Sequence, residues 1–200
     1  GIPTVRDRVV QTVLKMVIEP IFENKFVCTS FGFRPGRGCK DALRQVEGLM
    51  RAGYSWAVDA DLKSYFESIP HDRLVKEVNK YISDSRVLGL IEGFLKQQIL
   101  EDLSLWTPEK GAPQGAVVSP LLSNIYLHEV DKAMKMAGYE MVRYADDFVI
   151  LCKSQEEAAS ALAMVTELTR ERGLFLHGDK TSLVDTGQAG QGFDFLGYHF

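Results

Sequence analysis

From Thr4, a residue suited to an N-cap, apolar residues recur at Val9, Val10, Val13, Leu14, Val17, Ile18, Ile21 and Phe22, the spacing of one face of a long helix. The stretch TSFGFRPGRG (29–38) ends that period with three glycines and a proline, and predicts a loop. A second helix follows, with Ala42, Leu43, Val46, Leu49 and Met50 on one face and a stop at Gly53. YSWAVDADL (54–62) alternates and is rich in β-formers, which predicts a strand. Pro70-His71-Asp72 reads as a helix start, with Leu74, Val78, Tyr81 and Ile82 as its apolar face, and residues 84–97 continue as helix. Little periodicity runs through 98–110, which predicts a hairpin or loop.

After GAPQG (111–115), the run VVSPLLSNIYLHEVDKAMKMAG reads as a long helix ending at Gly138. YEMVRYADDFVILCK (139–153) divides into two apolar strands around Asp146 and Asp147, a hairpin. Residues 154–172 form an amphipathic helix, and LFLHGDKTSLVDT and GFDFLGYHF supply further short strands. Helices and strands are interspersed, and the close strand-turn-strand spacing favours antiparallel pairing. The fold class is therefore α+β rather than a doubly wound sheet.

Composition narrows the partners. The 200 residues are 46% hydrophobic and 25% charged, ordinary for a globular protein of one large domain or two small ones. No run of about 18 apolar residues is present, which disfavours a membrane span, and the start lacks the layout of a signal peptide. Three cysteines (Cys28, Cys39, Cys152) with no CxxC spacing disfavour a disulfide framework or a structural zinc site and favour the reducing cytoplasm. A formal charge of -4 counts mildly against a nucleic-acid binder, unless basic residues cluster or a longer protein supplies them. Gly1-Ile2-Pro3 has no initiator Met and the last residues fall within an apolar run, so the sequence is expected to be an internal piece of a longer protein.

Two places put carboxylates at strand ends: VDADL near Asp61, and YADD at 144–147. Neighbouring strands would let Asp61 face Asp146, with Asp147 beside them. Three converging carboxylates need positive charge, which hard divalent cations supply through oxygen ligands, and two such ions serve phosphoryl and nucleotidyl transfer. An Asp-Asp pair in a hairpin is also ordinary turn chemistry, and Asp59 and Asp61 also fit a solvated strand face. Neither motif decides alone.

Seven segments in order do more. GIPTVRDRVVQ (1–11), SFGFRPGRG (30–38), DLKSYFESIPHDRL (61–74), GAPQGAVVSPLLSNIYL (111–127), RYADDFVIL (143–151), GDKTSLV (178–184) and FDFLGYHF (193–200) resemble the fingers and palm of a reverse transcriptase, most of all those encoded by bacterial group II introns. The resemblance implies a right-hand polymerase fold whose palm has a small antiparallel, ferredoxin-like sheet flanked by helices. It implies fingers over 1–54 and 72–112 and palm over 55–71 and 113–200, with thumb and maturase regions absent.

Residue by residue, Asp61, Asp146 and Asp147 match the family's catalytic, metal-binding triad, Asp147 being the weaker direct ligand. Asp59 competes with Asp61 by spacing, but only Asp61 stands at the family offset from the aromatic pair. Phe66 matches the steric gate that selects deoxynucleotides, a role Tyr65 is placed to exchange with it. Gln114 matches a contact to the incoming nucleotide, Tyr144 a residue near the primer terminus, and Lys180 a lysine near the carboxylates, each with a plain structural alternative. Arg34 and Arg37, on a loop with Phe31 and Phe33, match a template contact built from phosphate pairing and base stacking. His71 reads as a packing or capping residue at a helix start, and no Ser or Cys has the context of a nucleophile.

The resemblance thus implies an RNA-directed DNA polymerase using two Mg2+ ions, with Mn2+ as a substitute, and RNA template, DNA primer and deoxynucleotides as partners. The longer protein would also bind its host intron RNA. The alternatives are an inactive RNA-binding maturase scaffold and a related bacterial reverse transcriptase of retron, diversity-generating or CRISPR-linked type. A piece this short is expected to have uncertain activity alone and a tendency to self-associate through uncovered apolar surface.

Overall fold

A computed structural model describes residues 3–101 and 104–200. Gly1 and Ile2, at the head of the first matching segment, and residues 102 and 103, in the predicted 98–110 hairpin, lie outside them. The chain divides into two compact units, Gly1–Phe26 with Ser64–Leu127, and Val27–Lys63 with His128–Phe200.

The first unit opens with α1 (Val5–Glu23), whose N-cap Thr4 accepts from the Asp7 amide through its hydroxyl. Its apolar residues do not share one fate. Leu14, Ile18 and Phe22 are buried, whereas Val5, Val9, Val13, Met16 and Val17 are exposed. The period forms a helix, but its apolar residues cover more of the helix circumference than one buried stripe. A four-residue turn of helix, α3 (Tyr65–Ser68), follows Ser64, whose φ of 46° breaks the chain direction. Strand and helix periodicity both need longer runs, so this turn left no pattern in the sequence. Helices α4 (His71–Asn79) and α5 (Ser85–Leu95) come next, α5 capped by the Asp84 carboxylate, and strands β2 (Ile99–Glu101) and β3 (Ser104–Trp106) pair antiparallel. Helix α6 (Ser119–Met136) begins in this unit and ends in the second.

The second unit holds α2 (Cys39–Arg51) and a four-stranded antiparallel sheet of β1 (Trp56–Asp61), β4 (Glu140–Tyr144), β5 (Asp147–Cys152) and β6 (Ser182–Asp185), in the order β4-β5-β1-β6. With α7 (Gln155–Glu171) between β5 and β6, this is the β-α-β-β-α-β arrangement of a ferredoxin-like fold. Ala42 and Val46 of α2 pack with Ala57, Val142, Val149 and Leu151 of the sheet and with Phe31, Phe193 and Phe195. Strand alternation puts Asp59, Asp61 and Asp147 on that same face. In 174–186 only Ser182–Asp185 is strand; Gly178–Lys180 forms a 3-10 turn instead. The chain ends in a small hairpin, β7 (Asp194–Phe195) and β8 (Tyr198–His199).

The units part at 26/27, 63/64 and 127/128. Packing explains the first boundary. Phe31, Ala42 and Val46 belong to the core of the sheet, which holds 27–54 in the second unit. Backbone pairing explains the second, because the 64–69 segment bonds to residues 111 and 112, as described below.

Candidate active site

Strand β1 delivers Asp61 to the edge where β5 begins, and the register sets Asp61 directly opposite Asp147. Two like charges at directly opposed positions repel. Asp147 carries the consequence: burial first, then the charges of Asp59, Asp61 and Asp146, push its carboxyl up to about 6. Burial also raises Asp146, with Asp61 adding to the shift, and raises Asp59, with Asp194 and Asp61 adding.

Past β1, Leu62 bridges antiparallel to Leu176, the Lys63 amide donates to Phe175 O (2.8 Å) and the His177 amide to Asp61 O (2.8 Å). That short pairing carries the 3-10 turn alongside the end of β1. Lys180 then donates from Nζ to Asp61 Oδ2 at 2.8 Å, and the contact raises the lysine above its ordinary value. A cation thus already offsets part of the carboxylate repulsion.

Tyr144 and Asp147 close the β4-β5 hairpin around two central residues, Ala145 and Asp146. Of these only Ala145 has a positive φ, 60°, a place where two-residue hairpins usually carry glycine. Tyr144 is half-buried against the sheet core. The terminal hairpin contributes from its own tip: Leu196 (φ 52°) and Gly197 (φ 79°) form a tight turn, and the Leu196 amide donates to the Asp147 carboxylate. The FDFLGYHF motif had no assigned task in the sequence; here its turn supplies one donor to the acidic cluster.

The arginine loop is held by its own side chains. Arg34 is buried, and its Nη1 donates to the carbonyls of Val27 and Ser30, both at 2.6 Å. Phe31 is in the core and Phe33 is exposed. Arg34 and Phe31 therefore hold the loop together. Arg37 is half-exposed, donates to Cys28 O (2.6 Å) and lies over the Phe31 ring.

Phe66 and Gln114 belong to the first unit. Tyr65 is buried and donates from its hydroxyl to Ser123 O at 2.7 Å, while Phe66 is half-exposed, its ring edge-on to Tyr65 at 5.4 Å. The hydroxyl bond ties Tyr65 into the core. The Gly111 amide donates to Ile69 O and the Ala112 amide to Phe66 O, both at 2.7 Å, and His71 Nε2 donates to Gly111 O at 2.7 Å, a packing role. Gly111 has φ of 95°, and a Cβ there would stand 3.0 Å from Phe66 O, so the approach needs glycine. Gln114 is exposed in a turn closed by the Ala116 amide on Pro113 O.

One residue of the site was missed in the sequence reading. Arg143 looked like a strand residue beside YADD, yet it is fully buried in an ion pair with Asp131 of α6. Its place in strand alternation, opposite Phe148, predicted burial, but nothing in the sequence pointed to Asp131 as its partner.

The family profile described as reverse transcriptase (RNA-dependent DNA polymerase) matches residues 1–200. The chain belongs to the reverse transcriptase family. It is 34% identical to Protein YkfC of Escherichia coli (strain K12), over 99% of this chain and 61% of that protein. It is 41% identical to the group II intron-encoded protein LtrA of Lactococcus lactis subsp. cremoris, over 66% of this chain and 22% of that protein. The chain thus spans between about a fifth and three fifths of these relatives. The structure of apo telomerase from Candida tropicalis superposes with a TM-score of 0.70 at 13% identity, over 96% of this chain and 39% of that one, a likeness of fold. The mixed helical and antiparallel architecture is accordingly that of reverse transcriptase fingers and palm.

Membership of this family carries a general dependence on divalent metal. Among the described residues, no three Asp, Glu, His or Cys side chains gather into a ready-made metal cluster. The oxygen donors of Asp61, Asp146 and Asp147 still suit a hard cation, and the raised Asp147 carboxyl marks charge that such a cation would relieve. No helix among the described residues is long and apolar enough to cross a membrane.

Proposed function

We propose that this chain carries the polymerase centre of an RNA-directed DNA polymerase of the group II intron type, with the sheet-bearing unit as palm. The reaction is attack of a primer 3′-oxygen on the α-phosphorus of a deoxynucleotide, with cleavage of the bond to the β-phosphate oxygen and departure of pyrophosphate. The observation that carries this reading is the opposition of Asp61 and Asp147 at the strand ends, with Asp146 on the adjoining hairpin.

Asp61, Asp146 and Asp147 would hold Mg2+, with Mn2+ able to replace it. Mg2+ usually takes only one or two protein carboxylates and fills its remaining positions with water and substrate phosphate, so a closed three-residue cage is not required. When bound, two such ions supply Lewis-acid stabilisation of the attacking and leaving oxygens. Lys180, on Asp61, is placed to exchange that carboxylate for a nucleotide phosphate. Phe66 acts as the steric gate against a 2′-hydroxyl, Gln114 contacts the incoming nucleotide, and Tyr144 packs near the primer terminus. Arg37 is the better candidate of the two loop arginines for template phosphate. RNA template, DNA primer and deoxynucleotides are the partners, with host intron RNA for the longer protein. The free thiols of Cys28, Cys39 and Cys152 suit the cytoplasm.

Primer extension on an RNA template with Mg2+, using the full-length protein, tests this. Asp146→Ala is expected to abolish extension while leaving RNA binding intact. Extension that survives the substitution would remove Asp146 from the chemistry, whereas RNA binding without extension in the unsubstituted protein would favour an RNA-binding scaffold.

A further inference from the structure

Arg143 sits beneath the YADD hairpin, on the face opposite Asp147, because it pairs with Phe148 and Tyr144 pairs with Asp147. Its guanidinium is spread over three parts of the second unit. Nε and Nη2 donate to the two carboxylate oxygens of Asp131 at 2.7 and 2.6 Å, a bidentate pair. Nη2 also donates to Ser30 Oγ at 2.8 Å, and Nη1 donates to Ala145 O at 2.6 Å. Ala145 O belongs to the peptide group that joins Ala145 to Asp146. The guanidinium therefore grips the peptide on the N-terminal side of Asp146, whose rotation would swing the Asp146 carboxylate.

The loop that leads into the arginine motif closes the same grip from the side. The Arg143 amide donates to Thr29 O (2.9 Å) and its carbonyl accepts from the Phe31 amide (2.8 Å), so Ser30 runs as a parallel bridge on β4. Gly32 then meets the hairpin itself: a Cβ there would collide with the backbone nitrogen of Ala145 and with the Tyr144 carbonyl carbon. Ala145 holds a left-handed φ of 60° without being glycine, a conformation that persists only where the surroundings over-determine it. Asp131 neutralises the guanidinium, so what the cluster gives the hairpin is chiefly position rather than charge.

We propose that Asp131, Arg143, Ser30 and Gly32 form a brace that fixes the Ala145–Asp146 peptide and so presets Asp146 for metal. Arg143 and Asp131 are positioning residues, and the brace rests on the reading of Asp146 as a metal ligand. It also assigns the first half of the SFGFRPGRG motif a task other than template contact.

The test uses the full-length protein without nucleic acid, with Mn2+ as the probe. Mn2+ affinity is read by electron paramagnetic resonance, and amide exchange is followed at Asp146 and Asp147. Asp131→Asn keeps the shape of the pair and removes its charge. It is expected to weaken Mn2+ binding about tenfold, the usual cost of losing a group that orients a metal ligand. Exchange at the two hairpin amides should quicken, and in primer extension kcat should fall with little change in the KM for deoxynucleotide. Ser30→Ala, which leaves the ion pair in place, should move each reading in the same direction by a smaller factor and decides the matter if Asp131→Asn does not fold. Parent-like Mn2+ affinity and hairpin exchange in a folded variant would overturn the brace, while loss of Mn2+ binding in Asp146→Ala alone would leave the metal reading standing. Mn2+ binding unchanged in Asp146→Ala would overturn the metal reading and the brace with it.

Discussion

Asp61 and Asp147 face each other as register partners across β1 and β5, and Lys180 hydrogen-bonds the first of them, at 2.8 Å from Asp61 Oδ2. The fold therefore buries part of a repulsive pair that Lys180 compensates only in part. Asp147 records this as a carboxyl raised from 3.8 to about 6, burial first and the neighbouring carboxylates after it. A carboxyl raised on folding binds its proton more tightly in the native state, so it contributes stability below about pH 4 that is lost as pH rises through 6.

The metal-free protein should accordingly lose stability between pH 4 and 6 through this group, against whatever the other carboxylates contribute. Asp147→Asn removes the charge while keeping the shape. It is expected to raise the unfolding temperature of metal-free protein at pH 7.5 by roughly 2–4 °C, about 1 kcal/mol for a chain of this size. At pH 4 the two proteins should differ little. Calorimetry in chelator at the two pH values checks this, and an equal gain at both would show that ionisation of Asp147 is not the cause.

The two adjacent aromatics make opposite predictions. Tyr65 is buried with its hydroxyl on Ser123 O, a helical carbonyl that keeps its backbone partner, so Tyr65→Phe loses one hydrogen bond and should cost about 0.5–1.5 kcal/mol of stability without altering nucleotide choice. Phe66 is half-exposed, and Phe66→Ala should admit ribonucleotides with little loss of stability. Incorporation of each nucleotide type in primer extension, together with thermal unfolding, separates the residues; relaxed discrimination in the Tyr65 variant would exchange their roles.

Arg34 and Arg37 divide in the same way. Arg34→Ala strips a charged donor from the Ser30 carbonyl and from the Val27 carbonyl, which keeps only the longer bond from the Ser30 amide, and should lower the unfolding temperature by several degrees, since bonds from a charged donor are worth about 1.5–3 kcal/mol. Arg37→Ala should leave stability nearly unchanged and weaken RNA binding, with a shallower dependence on salt because one phosphate contact is lost. Binding titrations across a salt series distinguish the two, and an unaltered salt slope for Arg37→Ala would take that residue off the template.

What could be seen in the sequence, and what could not, follows from the range of each interaction. Helix and strand period marked α1, α2, α7 and the β4-β5 hairpin, because each is a local run long enough to show its repeat. The acidic segments were visible as motifs, and the reverse transcriptase resemblance followed from their order. The four-residue α3 and the 3-10 turn at Gly178–Lys180 are too short for any period. The Arg143–Asp131 pair joins a strand to a helix, and the burial of Arg34 depends on carbonyls presented by the folded loop. Those are tertiary facts, and a guanidinium reads the same in sequence whether it meets a carbonyl, a carboxylate or a phosphate.

Gly111 offers a case in which motif and mechanics can be tied to one atom. Its φ of 95° suits glycine alone, and any Cβ would press at 3.0 Å on the Phe66 carbonyl that Ala112 already holds at 2.7 Å. Gly111→Ala must therefore either adopt a left-handed conformation that costs about 1–2 kcal/mol or push the 66–67 backbone away. Both routes destabilise, but only the second moves the proposed gate. The expected outcome is a lower unfolding temperature together with increased ribonucleotide incorporation, because Phe66 is carried on the displaced segment. A stability loss with discrimination intact would show that the strain is absorbed at residue 111 and that the GAPQG turn does not set the position of Phe66.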